Sequence, residues 1–123
     1  MKLSTLAQTF AVCRLDANNA IPSWVLQSPF FSIGKTNDEL SIVCEQKLVP
    51  DGIKCERDWR AFKVEGPLDF GLTGILTSIA NPLAEAKISI FVISTFDTDY
   101  VMIRANDFER ARLALVNAGF DFT

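Results

Sequence analysis

ISIFVISTFDTDYVMIRAN, residues 88–106, carries two runs rich in β-branched and aromatic residues, Ile88–Ser94 and Tyr100–Arg104, on either side of one polar break, Thr95–Asp99. Such runs favour extended backbone, and so short a break returns the chain on itself, so the stretch predicts an antiparallel hairpin. Two acids, Asp97 and Asp99, stand one residue apart in the break. Upstream, Trp59–Glu65 alternates like a half-buried strand, and Gly66-Pro67 closes it. From Phe70 the apolar residues Leu72, Ile75, Leu76, Ile79 and Leu83 recur at helical spacing behind Asp69, which is placed as an N-cap; Pro82 is expected to interrupt or kink that helix. Downstream, Asn106 and Glu109 have capping-box spacing before a helix over 107–118, and Gly119 stands where a C′ residue would. Phe120–Phe122 reads as a last short strand. The order β-α-β-β-α-β is the ferredoxin-like arrangement, two helices on one face of a four-stranded antiparallel sheet.

The first half repeats this layout in compressed form. FFSIGKTNDELSIVCEQ, residues 30–46, is again strand, polar break, strand. At an ungapped offset of 60 residues it pairs Phe31 with Phe91, Ile33 with Ile93, Asn37 with Asp97 and Glu39 with Asp99. Thr9–Leu15 reads as a strand, Pro22–Gln27 as a short helix, and Phe30–Gly34 with Leu40–Glu45 as the hairpin. KLVPDGIKCERD, residues 47–58, contains the turn signal Pro50-Asp51-Gly52 and is too short and polar for a second helix. The expected fold is therefore α+β, a tandem of two ferredoxin-like halves over 1–60 and 61–123, the N-terminal one degenerate. No Gly-, Ser- or Pro-rich linker separates them, so a shared core or sheet is expected.

Composition narrows the chemistry. With 49% hydrophobic and 22% charged residues among 123, the chain is a folded protein and not a disordered one. Net charge is −3 with no cluster of Lys or Arg, which argues against nucleic acid as a partner. No apolar run is long enough for a membrane helix, and MKLSTLAQTFAVCRLD lacks a signal-peptide pattern, so a cytoplasmic location is expected. Cys13, Cys44 and Cys55 are widely spaced without a CxxC pattern and read as small buried hydrophobes. The absence of histidine excludes mixed Cys/His zinc sites and every hydrolytic or acid/base scheme built on imidazole. Asp97 and Asp99 have no nucleophile, metal set or phosphate loop beside them, so no enzymatic activity, metal or cofactor is expected.

At residues 64–120 the motifs EGPLDF, LTG, PLA, ISIF and STFDTDY resemble the ACT-domain proteins, in particular the small bacterial tandem-ACT proteins. They are also similar to the ACT domains of the cytosolic arginine sensors. TFAVCRL (9–15) and DELSIVC (38–44) extend the resemblance into the first half. It implies a non-catalytic regulatory module that binds a small ligand, a free amino acid, where two ACT units meet, and a homodimer. The site it implies has two walls. One is the helix-start segment Asp69, Phe70, Gly71, Leu72, Thr73, Gly74 and Ile75, whose free N–H groups and positive dipole end suit a carboxylate. The other is Thr95, Phe96, Asp97 and Asp99, whose acids suit an ammonium.

Asp99 is the leading single residue, because the matching position of the arginine sensors is also an aspartate. Leu72 stands where those sensors carry an acid, which argues against arginine as the ligand. Each feature also has a plainer reading. Asp97 and Asp99 are also residue types common in hairpin turns, and that plainer reading weighs less for Asp99, which abuts the strand start at Tyr100. Gly71 and Gly74 serve equally for close helix packing against a second copy, offsetting the roughly 1 kcal/mol each costs in a helix. Phe70 and Phe96 read as core or interface aromatics, Trp24 and Trp59 as core, and Glu39 as part of a scaffold loop. A ligand-free module that docks on a partner protein is the competing function.

Overall fold

The computed structural model describes residues 1–66 and 73–123, which divide into two compact units, Gln8–Trp59 and Met1–Ala7 with Arg60–Thr123. The chain is α+β. Its strands are β1 (Lys2–Thr5), β2 (Phe10–Leu15), β3 (Ser32–Lys35), β4 (Leu40–Glu45), β5 (Cys55–Val64), β6 (Ile90–Ser94), β7 (Asp99–Arg104) and β8 (Asp121–Phe122), with helices α1 (Ile75–Glu85) and α2 (Phe108–Asn117). β5 has residues in both units.

In the N-terminal unit the strand order is β3-β4-β2-β5, all antiparallel, which is the ferredoxin-like order. Single 3₁₀ turns at Ser23–Gln27 and Gln46–Leu48 stand where that fold has helices. The degeneracy read from the sequence is thus physical: Pro50-Asp51-Gly52 leaves no room for a longer helix, and Gly52 takes the left-handed φ of 89° that the turn requires. Ala11, Cys13, Val25, Leu40, Ile42 and Cys44 form the core of this unit. Asp58, at φ 69°, marks a bulge in β5 where Phe10 pairs with Trp59 but Val12 with Glu56. Gln46 secures it through both ends of its side-chain amide, donating from Nε2 to Asp58 Oδ1 (3.0 Å) and accepting from the Asp58 N–H (2.6 Å).

In the C-terminal unit the order is β6-β7-β5-β1-β8. The last strand expected at Phe120–Phe122 forms as β8, but the place beside β5 that the ferredoxin-like order gives a last strand belongs to β1, antiparallel with Leu3 opposite Val64. β8 lies outside β1 and parallel to it. The reason is burial: β1 offers three paired positions and a fully buried Leu3, whereas β8 has only two residues. The first seven residues therefore belong with the second expected half. Helices α1 and α2 contribute Ile79, Leu83, Ala111 and Leu115 to a core with Phe62, Val64, Val101 and Ile103.

The helix ends follow simple rules. α1 runs through Pro82 and starts after Gly74, at φ 78°. Asp69, its expected N-cap, together with Phe70, Gly71 and Leu72, lies outside the described residues. The expected capping box of α2 does not form. Asn106 sits in a 3₁₀ turn over Ala105–Asp107, and Glu109 pairs with Arg112 at 3.3 Å. Both helices close with the same double bond of a Schellman motif: Gly119 N–H to Val116 and Phe120 N–H to Leu115 for α2, Lys87 N–H to Ala84 and Ile88 N–H to Leu83 for α1.

Candidate functional site

The two hairpins share one internal geometry. In each, four residues join the strands, Thr36–Glu39 and Thr95–Thr98. In each, the first threonine N–H donates to the carbonyl of the fourth residue (Thr36 to Glu39, 3.0 Å; Thr95 to Thr98, 2.8 Å). Its hydroxyl oxygen accepts the N–H of that fourth residue, from Glu39 at 3.2 Å and from Thr98 at 3.3 Å. This register equates Thr36 with Thr95 and Leu40 with Asp99, a shift of 59 residues and not the 60 read from the sequence. The expected pairing of Glu39 with Asp99 is thereby corrected: Glu39 matches Thr98, and the first hairpin has a buried leucine where the second has an acid. The sequence match slid by one because β4, β6 and β7 carry apolar residues at consecutive positions, so a shift of one still sets apolar residues against apolar ones.

In the second hairpin the threonine of the fourth position does what glutamate cannot. Thr98 is buried, and its hydroxyl donates to the carbonyl of Val64 at 2.6 Å. That carbonyl is at the end of β5, five residues before Asp69 in the sequence. The loop Thr95–Asp99 is thus bonded to the strand from which the helix-start segment departs. Asp99 opens β7 half-buried, opposite Ser94, whose hydroxyl donates to its Oδ1 at 2.5 Å. A carboxylate with one such bond keeps acceptor capacity for a cation. Asp97 is exposed and Phe96 is 79% exposed at the tip. Thr73 and Gly74 are exposed, and Ile75 packs half-buried on the C-terminal core.

Of the expected residues, the structure therefore places Thr95, Phe96, Asp97 and Asp99 on one loop and Thr73, Gly74 and Ile75 at the start of α1. Thr98 and Ser94 are the residues sequence reasoning passed over. Their signal was present, because both hydroxyls stand in or beside the acidic break, but hydroxyls in hairpin loops are too common to stand out. A separate open groove of about 660 Å³ runs between α1 and α2, lined by Ser78, Asn81, Pro82, Ala114 and Ala118. Among the described residues, its lining contains none of the expected ligand residues.

Fold and loop together define an α+β protein of two ferredoxin-like modules. The ACT-domain family model matches residues 54–117, just over half of the chain, and a model of an N-terminal domain matches residues 8–52. The chain belongs to the ACT-domain family. It is 42% identical to a protein of Agobacterium tumefaciens of known crystal structure, with a TM-score of 0.93 over 99% of this chain and 91% of that one. It is 34% identical over 83 residues to the rat cytosolic arginine sensor for mTORC1 subunit 1, covering 61% of this chain and 25% of the sensor. The chain thus spans about a quarter of the length of the curated relatives it matches. The aspartate kinase of Clostridium acetobutylicum shares the fold at 18% identity, with a TM-score of 0.67 over 90% of this chain and 33% of the kinase.

Proposed function

We propose that this protein is a non-catalytic regulatory module that binds a free amino acid where two ACT units meet, and that it works as a homodimer. The 61–123 half, with β1 added to its sheet, would be the ligand-binding ACT domain, and the rest of 1–60 its degenerate scaffold. Asp69, Phe70, Gly71, Leu72, Thr73, Gly74 and Ile75 would form the wall that receives the carboxylate, and Thr95, Phe96, Asp97 and Asp99 the wall that receives the ammonium. The observation that carries this reading is the bond from Thr98 to Val64, which fixes the acidic loop at the end of β5 from which the helix-start segment sets out. Similarity to a protein whose name records arginine sensing supports an amino acid as the ligand class. Leu72 argues for a side chain other than a cationic one. The small residues along the α1–α2 groove, Ser78, Ala86, Ala114 and Ala118, support pairing of helices between copies.

A thermal-shift screen against the twenty amino acids tests this. A ligand that binds only the folded state stabilises it by about 2.7 kcal/mol at 100 times its Kd, which moves the midpoint of a chain this size by several degrees. No shift with any amino acid at millimolar concentration contradicts the proposal. It favours a second reading, in which the exposed Phe96 is an anchor for docking on a partner protein.

A further inference from the structure

The three cysteines, far apart in the sequence, are brought together inside the N-terminal unit. Cys13 on β2 is the direct partner of Cys55 on β5, and Cys44 on β4 lies diagonally across from Cys13, opposite Ala11. The hydrogen bonding decides what the Cys13–Cys55 pair can do. Arg14 N–H donates to the carbonyl of Lys54 at 2.9 Å, so Arg14 and Lys54 form a hydrogen-bonded pair of the antiparallel ladder. Pair types alternate along such a ladder, so Cys13 and Cys55, next to it, form a non-hydrogen-bonded pair. In such pairs the Cα atoms stand about 4.5 Å apart and the side chains lean toward each other, inside the window of about 4.4–6.8 Å that a disulfide spans. Both thiols are on the core face, Cys13 buried and Cys55 half-buried at the N-terminal end of β5.

We propose that Cys13 and Cys55 are a site of reversible oxidation, forming a cross-strand disulfide when the protein meets a hydroperoxide. Cys55 is the sulfur that a small oxidant reaches, and its sulfur attacks the peroxide O–O bond. It becomes a sulfenic acid and releases water, or an alcohol from an organic hydroperoxide. Cys13 then attacks the Cys55 sulfur; the S–S bond forms, the S–O bond breaks, and the oxygen leaves as a second water with the thiol proton. Two electrons pass from the two sulfurs to the peroxide. Burial raises the pKa of Cys55, which keeps the thiolate fraction low and makes the first step slow, as suits a response to sustained oxidation. Cys44 lies diagonally across from Cys13, but it is fully buried and is not the ladder partner. Among the described residues no such cluster is arranged to hold a metal ion.

The test is mass spectrometry on the reduced full-length chain, treated with hydrogen peroxide, blocked with iodoacetamide under denaturing conditions and digested. The expected result is a loss of two hydrogens, about 2 Da, with one added carbamidomethyl group on Cys44 and a peptide pair linked through Cys13 and Cys55. Dithiothreitol restores three blockable thiols. Cys44→Ala leaves the link in place, whereas Cys55→Ser, a change at a half-buried position, abolishes it. A Cys13–Cys44 link, overoxidation of Cys55 without any link, or three unreacted thiols after an exposure on the order of a hundred times longer than a free thiol standard needs would each overturn the proposal.

Discussion

Thr98 shows how much rests on one hydroxyl. Its O–H donates to the Val64 carbonyl at a buried position, and in Thr98→Val that carbonyl loses its partner while the shape of the side chain is kept. Leaving a buried polar group unsatisfied costs about 1–3 kcal/mol, so urea unfolding of Thr98→Val is expected to show a loss in that range, and Thr98→Ser to recover most of it. A loss below about 0.3 kcal/mol would mean that water replaces the bond. At the same scale, Asp99 was legible in the sequence as an acid at a strand start, but its partner Ser94 was not, because the Ser94–Asp99 register is set by a four-residue loop whose length only the hydrogen bonds define. The same ambiguity moved the match between the two hairpins by one residue and paired Glu39 with Asp99, where the backbone bonds match it with Thr98.

Among the elements, the helix ends give a paired test. Both C′ residues are left-handed, Gly119 at φ 99° and Lys87 at φ 60°. Nothing within 4 Å would meet a Cβ at Gly119, so the cost of Gly119→Ala is conformational alone, expected at about 1 kcal/mol. Lys87→Gly removes the same kind of strain and is expected to stabilise by about 0.5–1 kcal/mol, the gain being reduced by the greater freedom of glycine in the unfolded chain. Thermal or urea unfolding of the two variants checks the opposite signs; equal signs would contradict the assignment of both as Schellman ends. Gly119 announced its helix end in the sequence because glycine is the usual residue there, and Lys87 did not because lysine is not. β1 was hidden for a related reason. KLST is four residues with a single buried side chain, too short for alternation to register. If Leu3 is core, Leu3→Ala should cost about 2–5 kcal/mol on chemical denaturation. A cost below about 0.5 kcal/mol would place β1 at a dispensable edge.

For the molecule as a whole, the sequence disclosed the doubled plan because a hairpin is local: its two strands and its break lie within twenty residues, and the pattern appears twice. The exchange of the first seven residues between halves was not disclosed, since strand order depends on contacts more than fifty residues apart, such as Leu3 with Val64, that no local pattern encodes. The same limit applies to the proposed site, whose two walls are drawn from segments about twenty residues apart in the sequence; what the structure adds is the bond that holds the acidic loop to the end of β5 through Thr98. The most direct measurement is a calorimetric isotherm of the intact protein and of Asp99→Ala with the amino acid that gives the largest thermal shift. Removing one partner of a hydrogen-bonded charge pair costs about 2–5 kcal/mol, so the account predicts that Asp99→Ala binds at least about 30-fold more weakly while folding as the native chain does. Equal affinity for the two proteins would contradict the placement of the ligand's ammonium at Asp99.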